Sequence, residues 1–257
     1  MKKHSFLKSV LVTGAARRIG RAIALDLAKS GWSVAIHCNR SIEAAEDLVS
    51  QILNLGVKAA IVRADLSNEE ATADLISKAN KAIGPLGCLI NNASVFEKDN
   101  PETTTRETWN NHMQVNLRAP FQLIQAFIRQ RPEGVEGNII NLIDQTVWNI
   151  TPFFTSYTVS KVALWGLTQN LALALAPNVR VNAIGPGPTF PSIHQSDEQF
   201  KRKCIEQPLS RPVMPEEICG AVKFIIDASS MTGQMIVLDG GEHLGWAPGK
   251  NDEGRAE

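Results

Sequence analysis

The sequence predicts an α/β fold: one doubly wound domain in which a mostly seven-stranded parallel sheet is flanked by helices. Two observations predict it. Short apolar runs alternate with longer amphipathic ones along the chain. No repeat and no linker rich enough to divide the chain interrupts that alternation, so residues 1–257 read as a single domain. With 257 residues, 44% hydrophobic and 20% charged, the chain can bury a large core.

The strands are expected at Ser9–Thr13, Ser33–His37, Lys58–Arg63, Cys88–Asn91, Asn138–Ile143, Val179–Ile184 and Met235–Leu238. Helices are expected at Ile19–Ser30, Ser41–Leu55 and Asn68–Ile83, stopped by Gly31, Gly56 and Gly84 respectively. A long helical region from about Thr104 to Gln130 follows, then Thr155–Ala174 and Pro215–Ala228. The stretch Pro186–Pro212 carries five of the 13 prolines and is too long for an ordinary connection. Its part from about 188 to 212 is expected to cover a site. The polar tail 249–257 is expected to fray.

Bulk properties exclude several classes. The formal charge of +0 gives no long-range field to attract nucleic acid or a membrane surface. Cys38, Cys88, Cys204 and Cys219 form no CxxC pair and no ligand cluster with histidine, which points to free thiols in a reducing cytosol and to no metal site. Lys8 interrupts any apolar core of a leader, and no apolar run approaches the length of a transmembrane helix. A cytoplasmic protein acting on a small molecule is the expectation.

The first strand runs into Thr13-Gly14-Ala15-Ala16-Arg17-Arg18-Ile19-Gly20 and then a helix. Gly14 permits the tight turn, Gly20 lets the helix approach the sheet, and the N–H groups at the helix start face an anion, as in dinucleotide binding. The second strand ends at His37, followed by Cys38-Asn39-Arg40-Ser41. No carboxylate is present there to hold a ribose 2′-hydroxyl; Arg40, Ser41 and Arg17 offer a cationic and hydroxyl set for a 2′-phosphate, so NADP(H) is the expected cofactor. Ser41 also suits the N-cap of the next helix. Asp65, and Asn91-Asn92-Ala93-Ser94, lie at carboxyl ends of strands, where such sheets bind ligands. A helix cap is the other reading for Asp65, and a residue bonding its own helix backbone is the other reading for Asn116.

Tyr157, the only tyrosine in the chain, stands four residues before Lys161 on a helix that follows the Asn138–Ile143 strand and Asp144. That spacing puts phenol and ammonium on one helix face. Trp148, Phe153, Phe154, Phe190 and Trp246 could line an aromatic pocket or simply pack the core, and His194 and Asp197 could contact substrate or be solvated.

Together these residues resemble the short-chain dehydrogenase/reductase family from about Ser9 to Gly241. The marks are Thr13-Gly14…Gly20, Asn91-Asn92-Ala93, Asn116, Tyr157-x-x-x-Lys161, Pro186-Gly187 and Asp239-Gly240-Gly241. The resemblance implies a Rossmann-type domain and a catalytic set of Asn116, Tyr157 and Lys161. It implies cofactor contacts from Gly14, Ile19, Gly20, His37, Asn39, Asn92, Ala93, Pro186 and Gly187, with Asp65 and Leu66 near the adenine. It also implies a homotetramer built largely by helix pairing. Two departures narrow it: Arg18 stands where most members carry glycine, and Asp144 where most carry a serine thirteen residues before the tyrosine. Both are similar to the pteridine reductase branch, as are His37-Cys38-Asn39-Arg40-Ser41 and Asn91-Asn92-Ala93-Ser94-Val95-Phe96. By that resemblance Ser94 would bond the cofactor phosphate or a pterin, Phe96 would stack the pterin on the nicotinamide, and Arg18 would contact pterin or pyrophosphate.

Charge supports the same branch. A carboxylate about 4 Å from a developing oxyanion repels it by roughly 4 kcal/mol at an effective dielectric of about 20, about a thousandfold in rate. A pterin instead offers N–H donors and ring nitrogens that need protons, which suit Asp144. Thr146 is the alternative hydroxyl, and a strand-end cap the alternative role for Asp144. In the expected mechanism Lys161 bonds the nicotinamide ribose and draws the Tyr157 phenol towards neutral pH, Asn116 holds a water, and Asp144 supplies a proton. The competing expectations are an NADP-dependent carbonyl, sugar or acyl-thioester reductase, and a non-catalytic NADP(H) sensor.

Overall fold

The computed structural model describes residues 5–192 and 195–245. The expectations for His194, Trp246 and the tail 249–257, and the start of the chain before Ser5, lie outside the described residues. Strands β1 (Ser5–Phe6), β2 (Ser9–Val12), β3 (Ser33–Cys38), β4 (Ala59–Arg63), β5 (Cys88–Asn91), β6 (Val135–Leu142), β7 (Val179–Pro186) and β8 (Met235–Leu238) form one parallel sheet. Seven of them follow the order β4-β3-β2-β5-β6-β7-β8, and β1 pairs with β6 alongside that path. The order reverses between β2 and β5, so the carboxyl ends of these two strands open the crevice where such sheets hold ligands.

Helices cover both faces. α1 (Arg18–Lys29), α2 (Ile42–Leu53) and α9 (Pro215–Asp227) bury Ile23, Leu27, Leu48, Ile52, Ile218 and Val222 in one core with Val10, Val34 and Ile36 of the sheet. The other face carries α3 (Glu69–Ala73), α4 (Leu75–Ile83), α5 (Arg106–Met113), α6 (Ala119–Gln130) and α7 (Thr155–Leu175). There Leu75, Ile76, Leu123 and Phe127 pack on Leu11, Leu89 and Ile139. A ninth helix, α8 (Asp197–Ile205), lies in the covering segment. Alternate residues of β2 thus feed opposite cores, as the pleat requires.

The structure departs from the sequence expectation in five elements, one of them the two-residue β1, for which no strand is expected. The helix expected over Asn68–Ile83 is broken at Asp74 into α3 and α4. The long region near Thr104–Gln130 is α5, a π-helical turn at Gln114–Arg118, and α6. Pro120 supplies the reason: it has no N–H to offer, and its ring would press on the carbonyl four residues back, that of Asn116. β6 starts at Val135, three residues early, because β1 pairs with its first two residues. α8 was not anticipated, although its Ser196-x-x-Gln199 capping box is present in the chain.

Candidate active site

The turn after β2 is held by its neighbours rather than by its own residues. Thr13 Oγ1 accepts the Asn92 and Ala93 N–H groups, both at 2.9 Å, and Asn92 Nδ2 donates to Thr13 O at 2.7 Å and Gly14 O at 3.2 Å. Gly14 has φ +63°, and a Cβ on Gly20 would sit 2.4 Å from Gly14 O, so neither position admits a side chain. His37 closes the other side. Its Nδ1 accepts the Gly14 N–H at 3.0 Å, which leaves the proton on Nε2, 3.2 Å from Ala64 O. Burial pushes the imidazole down to about 4, so it is neutral at pH 7. His37 therefore braces the turn with its ring rather than presenting a charge to a phosphate.

The N-cap of α1, Arg17, makes no side-chain cap bond, and the first turn contains no acidic residue. These donors are arranged for an anion. At the end of β3, Ser41 is the N-cap of α2 yet its hydroxyl makes no cap bond, so the capping alternative is not realised. Arg40 is exposed beside it, and the Asn39 carbonyl accepts from Arg63 Nε at 3.0 Å. Asp65 does not cap α3, a role taken by Asn68. Its carboxylate accepts the Ser67 N–H and hydroxyl at 2.9 and 2.7 Å, which hold it below the usual carboxylate range. The Leu66 side chain is buried in the core.

Asp144, just past β6, and Tyr157, in the first turn of α7, are brought together as expected. The phenol donates to Asp144 Oδ2 at 2.7 Å, and Oδ1 accepts the Thr146 N–H at 2.9 Å. The Thr146 hydroxyl is buried and takes no part in this pair. Lys161, 2% exposed, donates to Leu142 O at 2.9 Å, with Nζ 5.7 Å from the Tyr157 ring centroid. Burial lowers this ammonium to about 8, against the opposing pull of Asp144. The expectation that Lys161 draws the phenol towards neutrality is corrected by this geometry. Burial first, then the charge and hydrogen bond of Asp144, hold the Tyr157 phenol well above its ordinary range.

Asn116, in the π turn, does not merely bond its own helix. Its Oδ1 accepts the Val95 N–H at 2.9 Å, and its Nδ2 donates to Val95 O at 3.0 Å and Ser160 Oγ at 3.1 Å. The side chain thereby staples the segment after β5 to α7. Ser94 lies in the same cluster, its Oγ 3.1 Å from Asn116 Oδ1. Phe96 meets the Tyr157 ring edge-to-face at 4.7 Å and stacks on Phe154 at 4.4 Å. One face of Phe96 is thus covered by this chain itself. Trp148 packs edge-on against His243, and Phe153 and Asp197 are exposed. Gly187 is fixed by its N–H to Leu238 O at 2.8 Å, and a Cβ there would collide with Asp239.

Three residues went unnoticed in the sequence. Behind Tyr157, His112 Nε2 accepts the Glu97 N–H at 3.1 Å, so Nδ1 carries the proton and donates to Ser156 Oγ at 2.7 Å. Ser156 in turn donates its hydroxyl and its N–H to the buried Asp99 carboxylate, which also accepts from Thr104 Oγ1 at 3.0 Å. The only signal in the chain was a polar residue at each of three positions that no periodicity marks as buried.

The "short chain dehydrogenase" family model matches residues 8–202. The chain belongs to the short-chain dehydrogenase family, and with it to the oxidoreductases. FolM alternative dihydrofolate reductase 1 from Brucella suis, solved in complex with NADP, is 45% identical with a TM-score of 0.91, over 94% of this chain and 97% of that one. A short-chain dehydrogenase from Burkholderia cenocepacia J2315, also in complex with NADP, is 30% identical with a TM-score of 0.86, over 92% and 98% of the two chains. The 3-oxoacyl-[acyl-carrier-protein] reductase FabG of Staphylococcus aureus is 32% identical over 242 residues, 92% of this chain and 98% of its own.

Proposed function

We propose that this chain is an NADPH-dependent reductase of a pterin or folate ring, taking a dihydropterin or dihydrofolate to its tetrahydro form. The observation that carries the reading is the 2.7 Å bond between the Tyr157 hydroxyl and Asp144. A carboxylate there opposes an oxyanion but accepts from ring N–H groups. The likeness to an alternative dihydrofolate reductase supports the same substrate class.

The residues present fit NADP(H). The uncapped start of α1 and the turn from Gly14 to Gly20, with Arg17, would hold the pyrophosphate. Arg40 and the uncommitted Ser41 hydroxyl would hold the 2′-phosphate, and no carboxylate stands at the end of β3 to favour a bare ribose. The bound cofactor supplies the hydride. Lys161 gives one of its three donors to Leu142 O and would offer the others to the nicotinamide ribose. The phenol remains protonated at neutral pH and donates to Asp144, which orients one carboxylate oxygen towards the substrate ring. Asp144 would then deliver to the ring nitrogen, directly or through water, a proton taken from solvent, while the Tyr157 hydroxyl holds the carboxylate in place. Phe96 offers the planar ring only the face that Phe154 leaves open.

NADPH oxidation with dihydrobiopterin, dihydrofolate and dihydromonapterin, against ketones, sugars and a 3-oxoacyl thioester, tests the reading. Turnover confined to the dihydropterins is expected. Turnover confined to the carbonyl panel would replace it by the second reading, which the FabG relationship favours. Tyr157→Phe and Asp144→Ala should each lower turnover by roughly a hundredfold or more while NADPH still binds. A non-catalytic sensor is disfavoured because the Asn116, Tyr157 and Lys161 set is whole and buried.

The assembly belongs to the same proposal. Val159 and Val162 of α7 and Trp109 of α5 are exposed, and other residues of α5, the π turn, α6 and α7, among them Met113, Phe121, Leu167 and the polar Asn111 and Arg118, line a groove of about 1120 Å3. A second copy of the chain suits that face, in a homotetramer built by helix pairing. No helix among the described residues is long and apolar enough to cross a membrane, and no group of three metal-ligating side chains stands together among them. A cytoplasmic enzyme is the corresponding reading.

A further inference from the structure

Two hydrogen-bonded rungs cross the site beside Tyr157, and only one of them belongs to the catalytic set that the family resemblance implies. Asn116 forms the first, between the Val95 backbone and Ser160 Oγ. His112, four positions earlier, forms the second. Its Nε2 accepts the Glu97 N–H at 3.1 Å, and its Nδ1–H donates to Ser156 Oγ at 2.7 Å. The two rungs keep step along all three segments. Residues 95 and 97 alternate along the loop after β5, while His112 and Asn116, like Ser156 and Ser160 on α7, stand four positions apart.

The residues between the rungs are the two rings of the site. Phe96 lies between Val95 and Glu97, Tyr157 follows Ser156, and the two meet edge-to-face at 4.7 Å. The His112 ring lies 5.9 Å from the Tyr157 ring, inclined at 70°. Ser156 is fixed from its other side by the Asp99 carboxylate, which accepts its N–H and hydroxyl. His112 and Ser156 are fully buried, and Asp99 nearly so. A buried polar group that loses its partner is costly, so such a chain holds one arrangement. Burial, the largest influence, lowers the imidazole below its ordinary value and favours the neutral form that both bonds require. With both nitrogens committed, His112 has no atom left to exchange protons with a ligand.

We propose that His112 is a positioning residue of the active site: it locks the loop bearing Phe96 to the first turn of α7, so that the Tyr157 hydroxyl stays on Asp144 while Phe96 stays against the Tyr157 ring. One rung, that of Asn116, is a hinge; the second removes the hinge motion. The proposal rests on the pterin reading for the substrate and for the use of the Tyr157–Asp144 bond, and not for the rungs themselves.

Tyr157 is the only tyrosine in the chain, which makes the test direct. Full-length protein grown on tyrosine isotopically labelled at the phenolic carbon gives one such magnetic-resonance signal, whose shift reports the bond from the hydroxyl to Asp144. Asp144→Asn calibrates the loss of the charged acceptor. Two variants each cut half of the second rung. His112→Asn keeps a donor near the Nδ1 position and has nothing at Nε2; His112→Gln keeps an acceptor near Nε2 and has nothing at Nδ1. In both, the phenolic signal should move towards its Asp144→Asn position. Turnover, kcat, should fall by roughly tenfold, the effect of about one hydrogen bond, with NADPH Kd changed less than about twofold. Ser156→Ala cuts the same rung from the α7 side and should reproduce both effects, which decides the matter if the histidine variants do not fold. An unmoved signal, or a kcat within about twofold of wild type, would overturn the proposal even where the thermal midpoint drops, as it does for a histidine that only supports the fold. A loss of NADPH affinity as large as the loss of kcat would overturn it too, as a general loosening of the site. The substrate for kcat is whichever compound of the panel wild type reduces. Reduction of carbonyl compounds alone would end the pterin reading, and the phenolic signal and kcat would still decide the role of His112.

Discussion

At the residue scale, the site turns on how burial and neighbours set each group's charge. Lys161 is lowered to about 8, so in the free enzyme its ammonium is lost as pH rises through that value. The pH profile of kcat/KM for NADPH reports the free enzyme; it should fall above about 8, and Lys161→Arg should remove that limb. His37 gives a stability prediction of definite sign. Its folded value of about 4 lies below the unfolded 6.5, so the unfolded chain takes the proton first. Stability should therefore decline as pH falls from about 6.5 to 4, by about 3 kcal/mol, and His37→Gln should flatten that slope in denaturant titrations. Tyr157, Lys161 and Asp144 were legible in the sequence because four-residue spacing and a strand end fix where they point. The direction of the phenol shift was not legible, because it depends first on how completely the fold buries the ring and then on which of two opposite charges it brings within 3 Å. The brace made by His37 was hidden for a similar reason: its partners, Gly14 and Ala64, are backbone groups from two other segments.

At the element scale, α7 begins in an unusual way. Its N-cap, Phe154, is left-handed at φ 59° and offers no capping side chain. The cap arrives from Asp99, which accepts the Ser156 N–H and hydroxyl and whose carbonyl accepts the Phe154 N–H at 2.8 Å. Asp99→Ala would leave the buried N–H and hydroxyl donors of Ser156 unsatisfied, at about 2–3 kcal/mol. Its thermal midpoint should drop by about 5–10 °C; a midpoint within 1–2 °C of wild type, roughly the shift from about 0.5 kcal/mol, would show that water replaces this cap. Periodicity located α7 to within a residue, yet it could not see a cap supplied from 57 positions away. The π turn was equally hidden, although Pro120 marked the place where regular helix had to yield. The early start of β6 at Val135 depends on pairing with β1, which local pattern does not encode.

At the scale of the whole molecule, seven of the eight strands were placed from alternation alone, and the two-residue β1 was missed because so short a run carries no pattern. Assembly is where the proposed fourfold copy makes its own prediction. Val162→Glu would place a carboxylate on the exposed apolar stripe of α7. Sedimentation should then show a smaller species than the wild-type protein, proposed to be a tetramer, since an unpaired buried charge costs several kcal/mol; an unchanged sedimentation coefficient would move the interface to another face.

One oxygen, that of the Thr13 hydroxyl, carries a consequence for redesign. Because it receives two N–H groups from the loop after β5, the nucleotide turn and the loop bearing Ser94 and Phe96 behave as a single casting. A substitution that shifts one strains the two bonds that hold the other. Among the described residues, the rim at Asn39, Arg40 and Ser41 makes no bond to the Thr13 junction; it follows His37, which accepts the Gly14 and Ala15 N–H groups, and is tied by Arg63. On the proposed reading, preference between phosphorylated and plain dinucleotide would be set at the rim and substrate choice at the loop joined to Thr13, so the two would be open to separate redesign.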